Sequence, residues 1–200
     1  MSTVYKRTYE EPPVNRKEIL RYAGVGAPTE QIDRLIDECL LEISGALSLS
    51  VCYAEDPISV ADGVIDLGFT RVISRDLAKN LSGCERIVLF ASTAGFALDR
   101  LIRKYSKTSP TKAFLLGAIG DERVEAVCDE FCQELAEKEA AQGCKTRPRF
   151  SPGYGDLPLE LQRDIFSILS AQKHIGVTLN ESLLISPTKS VTAIVGVGER

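Results

Sequence analysis

The spacing of apolar residues changes period several times along the chain, and this constrains the fold more than any single motif. Ile32, Leu35, Ile36, Cys39, Leu40 and Ile43 recur at the spacing of an amphipathic helix. A few residues on, Leu47 to Tyr53 alternates, and Gly63 to Leu67 is a brief apolar run closed by Gly68; both patterns predict strands. Ile87 to Ala91 is apolar throughout and begins with two β-branched residues, as a central strand covered on both faces would. Residues 93–106 return to helical spacing through Leu98, Leu101, Ile102 and Tyr105. Strands and helices interleave without a strict βαβ alternation, which predicts an α+β or mixed sheet covered by helices.

Local signals place the remaining elements. Tyr5, Arg7 and Tyr9 would share one face of an extended arm that stops at Pro12 and Pro13. A short helix is expected from Asn15 to Ala23, ended by Gly24, and Pro28 suits the first turn of the helix that follows. Ser74 reads as the N-cap of a helix running to Leu81. One helix is expected over Pro110 to Ile119 and a second over Asp121 to Gln142, with Gly117 and Gly120 between them permitting a tight turn. Asp156 and Pro158 would open a helix carrying Leu161, Ile165, Ile168 and Leu169 on one face. Ile175 to Leu179, Leu183 to Ile185 and Ser190 to Val197 read as strands, with Pro187 and Lys189 in a turn. No repeat or long linker interrupts the 200 residues, so a single domain over 1–200 is expected.

Charge and cysteine content narrow the function classes. A formal net charge of -4 argues against a nucleic-acid binder, which needs clustered Lys and Arg. No apolar run reaches the roughly 18 residues of a membrane span, and Met1 to Pro13 is polar, so a cytoplasmic protein is expected. The six cysteines are read as thiols. Cys128 and Cys132 sit among Val124, Val127, Phe131 and Leu135 on one helical stripe, as small core hydrophobes would. With one histidine, His174, no metal site and no Ser-His-Asp or Cys-His catalytic arrangement is expected.

Few motifs carry chemistry. Val195-Gly-Val-Gly198 holds a lone G-x-G with no third glycine or helix after it, so it is no dinucleotide fingerprint. Arg100, Arg103, Lys104 and Lys107 line one helix face, either simply solvated or fitted to an acidic partner. RPRFSPGYGD (147–156) combines two prolines that fix φ, two glycines that let backbone approach a ligand, and Arg149 with its planar fork of donors. It fits a ligand pocket and a structural loop between helices equally well.

RFSPGYG (149–155) resembles the R-x-x-x-G-Y motif of the activation domain of vitamin B12-dependent methionine synthases. The helix-like LPLELQRDIFSILS (157–170) follows, then LNESLLISPTKSVTAIVG (179–196), similar to the family's L-T-E-S-x-x-x-x-P-x-x-S-V block with Asn180 in place of threonine. ERVEAVCDEFCQELAEK (122–138) looks like the acidic helix that precedes the motif.

The resemblance implies an α+β fold: a twisted, largely antiparallel β-sheet flanked by helices. It also implies binding of S-adenosylmethionine over cobalamin presented by a partner protein, a cobalamin-binding methionine synthase or other corrinoid protein. A flavodoxin- or ferredoxin-like electron donor is implied as well. On the matching positions, Arg149 would contact S-adenosylmethionine, Gly153 and Tyr154 would shape the pocket, and the Ser151 backbone would bond the adenine. Glu181 and Ser182 match the second block, and Asp129 or Glu134 would face the sulfonium. No residue is assigned a catalytic role. After the motif the long form reads P-A-C-P-D/E-H, whereas this chain has Gly155-Asp156-Leu157-Pro158, so that histidine is missing. With 200 residues and no cobalamin-binding or catalytic domain, the chain resembles the family's short, free-standing versions and is expected to be an accessory subunit of the methyltransferase. The alternative is a docking or assembly module for another corrinoid methyltransferase, without its own S-adenosylmethionine site.

Overall fold

The computed structural model describes residues 3–61 and 63–199. In chain order the elements are β1 (Tyr5–Thr8), α1 (Arg16–Tyr22), α2 (Glu30–Ile43), β2 (Ser50–Pro57), β3 (Ser59–Ala61), β4 (Val64–Asp66), β5 (Arg71–Ile73), α3 (Arg75–Asn80) and β6 (Arg86–Thr93). There follow α4 (Ala97–Tyr105), α5 (Pro110–Ala140), β7 (Cys144–Thr146), α6 (Leu161–Leu169), α7 (Ala171–Ile175), β8 (Thr178–Leu179), β9 (Ile185–Ser186) and β10 (Ser190–Glu199). The main sheet runs β1-β2-β6-β10-β7, and every neighbouring pair is antiparallel. Hairpins β3-β4-β5 and β8-β9 stand apart from it. The α+β expectation holds.

The central strands divide two cores by simple alternation. Val51, Val88, Phe90, Ala193, Val195 and Val197 face a core shared with α1, α2, α4 and α5. Their neighbours Cys52, Ala54, Ile87, Leu89, Ala91 and Ile194 face a second core with α3, α6 and α7. This period of two is what a sheet covered on both sides requires. Phe131 of α5 closes the first core against Phe90 and Tyr53, with ring centroids 4.9 and 5.2 Å away.

Side-chain caps set several helix starts. Asn15 and Ser74 cap α1 and α3, the Ser74 hydroxyl accepting from the Leu77 N–H at 3.0 Å. Thr29 caps α2, so Pro28 lies just outside the helix and not in its first turn. Other boundaries differ because tertiary contacts override local signals. Residues 110–140 form one 31-residue helix with no turn at Gly117 or Gly120. Gly120 is instead a close-approach site: a Cβ there would meet the Lys189 side chain at 2.7 Å and Leu98 Cδ1 at 3.0 Å. Ile175 belongs to α7, and the strand after it is only Thr178–Leu179. Helix α6 begins at Leu161; Asp156 does not open it and caps α3 across the fold.

Two glycines explain the terminal G-x-G. Gly196 and Gly198 of β10 lie under the loop at Leu81–Cys84, and a Cβ on Gly198 would run into the Gly83 carbonyl. Gly198 lets one backbone cross another, and Gly196 leaves room for the Leu81 and Cys84 side chains. All six cysteines are free; Cys128 is buried, whereas Cys132 is only half-buried.

Candidate functional site

The site begins with a bulge in the edge of the sheet. Beyond β7 the chain continues along β10, the Arg147 N–H donating to the Gly196 carbonyl and the Phe150 N–H to that of Ile194. Three steps on one side thus span two on the other, which is a β-bulge. Arg147 and Phe150 consequently face the α3 side, where Phe150 is in the second core. Arg149 is turned to the opposite side, toward α5. Pro148 fits the bulge because the residue there has no ladder bond to make.

On the α5 side Arg149 Nη2 meets Glu125 Oε2 at 2.6 Å and Asp129 Oδ1 at 2.8 Å. Burial works against its charge, but the neighbouring Glu125 and Asp129 carboxylates act the other way and the net shift is upward. Burial pushes the Cys128 thiol up to about 12, so it stays protonated beside the arginine. Arg149 lines a groove of about 1020 Å³ between α5, α1 and the arm at Glu10–Asn15. Nine acids (Glu10, Glu11, Glu18, Glu122, Glu125, Asp129, Glu130, Glu134 and Glu137) line it against two arginines, Arg21 and Arg149. The α5 members recur at helical spacing, which brings them to one face. A groove of this charge attracts cations.

The arm braces this acidic face. Arg7 of β1 pairs with Glu134, and the Tyr9 hydroxyl donates to the same carboxylate at 3.1 Å. Burial, then the Glu134 charge, raise the Tyr9 pKa, which keeps the phenol a donor. Deeper, Glu122 and Arg123 form a pair only 3% and 1% exposed.

The other side of the segment is a separate cleft of about 590 Å³, lined by Asp76, Lys79, Asn80, Ser82, Arg147, Pro148, Phe150 and Tyr154. Tyr154 is 70% exposed and stands edge-on to Phe150. Gly153 and Gly155 both have positive φ, and a Cβ on Gly155 would collide with the Asp76 carboxylate. Asp156 accepts from the Ser74 hydroxyl and from the Arg75 and Asp76 N–H groups, the hydroxyl bond being the main cause of its lowered pKa. The Ser151 carbonyl is taken by the Tyr154 N–H.

Arg149, Asp129 and Glu134 therefore meet in one groove, whereas Tyr154, with Gly153 beside it, is on the α3 side of the same segment. Glu181 and Ser182 are exposed in the turn between β8 and β9 and line neither cleft; the Glu181 carbonyl accepts from Arg163. The sequence reading passed over Glu10, Glu122, Arg123 and Glu125. The acids of 122–138 were visible as a group, but no local signal shows that an arm 107 residues earlier in the chain packs against Glu122. Among the described residues, no group of three or more His, Cys, Asp or Glu is placed to hold a metal ion, and no helix is long and apolar enough to cross a membrane.

Fold and groove together define an α+β module built on an antiparallel sheet, with an anionic groove and an arginine on its lining. A family model described as vitamin B12 dependent methionine synthase, activation domain, matches residues 73–199. The chain belongs to that family. Among solved structures, a crystal structure of the MetH reactivation domain bound to AdoHcy is similar, with a TM-score of 0.68 and 17% identity. That match covers 98% of this chain and 78% of the other. No curated protein matches.

Proposed function

We propose that the chain, as a single domain over residues 1–200, is a free-standing reactivation subunit of a cobalamin-dependent methionine synthase, binding S-adenosylmethionine in the acidic groove. The observation that carries this reading is the pairing of nine acids with an inward-turned Arg149 in a family member. S-adenosylmethionine presents a sulfonium, an ammonium and a carboxylate, and the donor set fits all three. Among the described residues Arg149 meets Glu125 and Asp129 through Nη2, which leaves Nε and Nη1 to bind a carboxylate. Asp129 and Glu134 stabilise the sulfonium, whose charge falls in a field already negative. Tyr154, exposed on the other side of the segment, is available to a partner surface.

The cobalamin would be held by the partner protein and would supply the methyl acceptor, with a flavodoxin- or ferredoxin-like protein as the source of the electron. This chain's residues bind and orient the methyl donor and neutralise its charge. A cytoplasmic location fits that partnership.

Titration calorimetry of the purified chain with S-adenosylmethionine, alone and with a corrinoid methionine synthase, tests the reading. Saturable heat that falls at least about tenfold in affinity for Arg149→Ala is expected, since a charged hydrogen-bond pair contributes about 1.5–3 kcal/mol. Absence of heat with the partner present would sink it, and would favour a docking module for another corrinoid methyltransferase.

A further inference from the structure

We propose that the buried Glu122–Arg123 pair is a positioning device: it holds the arm that forms one wall of the acidic groove, and through the arm sets the groove's preference for cationic over neutral ligands. The proposal rests on that groove being the S-adenosylmethionine site.

Two full charges on consecutive helix residues are an unusual thing to bury. Side chains at i and i+1 do not normally face each other on a helix, yet Arg123 Nε and Nη2 clasp both Glu122 oxygens at 2.5 Å. Removing such a pair from water costs several kcal/mol per ion, and apolar replacements of similar volume commonly fold as well or better. Stability alone therefore does not account for it.

Among the described residues, every side-chain hydrogen bond that leaves the pair goes to one segment. Arg123 donates to the Pro12 carbonyl at 2.5 Å and to that of Pro13 at 3.1 Å, and Glu122 accepts from the Asn15 N–H at 2.8 Å. Two consecutive prolines have no N–H with which to enter a ladder, so the guanidinium is what anchors this stretch. Just before the clamp, Glu11 accepts from the Gly45 N–H, which ties the arm down again. Glu10 is left on the groove wall, and among the described residues it forms no ion pair. Holding the backbone from Glu11 to Asn15 thus holds an unneutralised carboxylate across from the α5 acids. A sulfonium gains from that charge, and a thioether of the same shape does not.

The test compares S-adenosylmethionine with S-adenosylhomocysteine on the full chain by calorimetry, together with hydrogen exchange at the Asn15 amide. In Glu122→Leu/Arg123→Met we expect a folded protein, Asn15 exchange faster by at least about tenfold, and S-adenosylmethionine affinity lower by at least about threefold, with S-adenosylhomocysteine nearly unchanged. Glu10→Gln leaves the core untouched and is expected to lose the same preference without the faster exchange. A folded double variant with wild-type exchange, or with an unchanged affinity ratio, overturns the proposal. Should the double variant not fold, an unchanged ratio in Glu10→Gln overturns it alone. Absence of S-adenosylmethionine binding by the wild type refutes the functional reading instead, and Asn15 exchange in the double variant then decides whether the pair is a clamp.

Discussion

Replacing Gly198 by alanine is expected to destabilise the protein by roughly 2–4 kcal/mol, although alanine is smaller than any other side chain that could be placed there. The new Cβ would overlap the Gly83 carbonyl oxygen and lie 3.0 Å from both the Gly83 carbonyl carbon and Cys84 Cα. Carbon atoms pack at about 3.5–4.0 Å, so the loop must retreat by about 0.5 Å or more. Backbone surrounds the site, so no rotamer change relieves it. Retreat also strains the bond from the Glu85 N–H to the Val197 carbonyl, 3.0 Å long, that ties the loop to β10. Overpacking of this kind costs about 1–3 kcal/mol and a weakened hydrogen bond about 1 more. At about 2–4 °C per kcal/mol for a chain of this size, the melting temperature should fall by roughly 4–16 °C. Two other glycines calibrate the argument. Gly196→Ala meets side chains and not backbone, Cys84 Sγ and Leu81 Cδ2 at 2.7 Å each and Arg147 Cγ at 3.2 Å, and should cost about 1 kcal/mol. Gly117→Ala, in the interior of α5 with open space around it, should stabilise by about 0.5–1 kcal/mol. Calorimetric melts of the three variants would refute the reasoning if Gly198→Ala melted within about 1 °C of wild type, or if Gly196→Ala proved the worse.

Three further outcomes follow from the packing and the charges. Phe131→Ala removes the ring that closes the α5 core and should cost about 3–5 kcal/mol, measured by denaturant unfolding. Glu42 is held down to about 2, chiefly by its hydrogen bond to Lys112 with Tyr105 and Lys104 adding to it. A carboxylate with a depressed folded-state pKa contributes stability that is complete above its unfolded value of about 4.3 and is lost as the pH falls toward 2. Glu42→Gln should therefore flatten that stretch of the acid-unfolding curve and change little near pH 7 in shape. Burial pushes Cys52 and Cys128 up to about 12 and Cys39 and Cys132 up to about 11. Mass spectrometry after brief alkylation of native protein at pH 8 should accordingly find label on the half-buried Cys84 and Cys144 first; early label on Cys52 or Cys128 would contradict the burial.

What could be seen in the sequence was what depends on neighbours in the chain. The α2 stripe, the Ser74 cap and the apolar Ile87–Ala91 strand are local signals, and each appears where the pattern places it. Gly120 misled because glycine has two uses: it frees φ at turns and it lets another element come close, and only the packing of Lys189 and Leu98 shows the second. Asp156 was similarly ambiguous, since a capping side chain serves whichever helix start lies within reach, and here that is α3, 80 to 82 residues earlier. Within the site, the composition of RPRFSPGYGD was visible but its two-sidedness was not. A bulge is defined by its partner strand, so nothing in 147–156 alone reveals that Arg147 and Phe150, three apart, share one side there while Arg149 faces the other.

The same logic explains how α5 tolerates its acidic face. Glu125 and Asp129, four apart, and Glu130 and Glu134, also four apart, are like-charge pairs that each weaken an isolated helix by about 0.2–0.5 kcal/mol. In the folded protein Arg149 bridges the first pair and Arg7 neutralises one member of the second. Both counter-charges come from outside the helix, one from the bulge and one from the edge strand, and neither reaches Glu10, Glu130 or Glu137. The fold thus offsets enough repulsion to keep the helix and leaves a surplus at the groove mouth, where water now solvates it. A cationic ligand arriving there supplies the missing counter-charge. On the proposed function, an acid-rich stripe that would be a flaw in a purely structural helix becomes the feature that selects a cationic ligand.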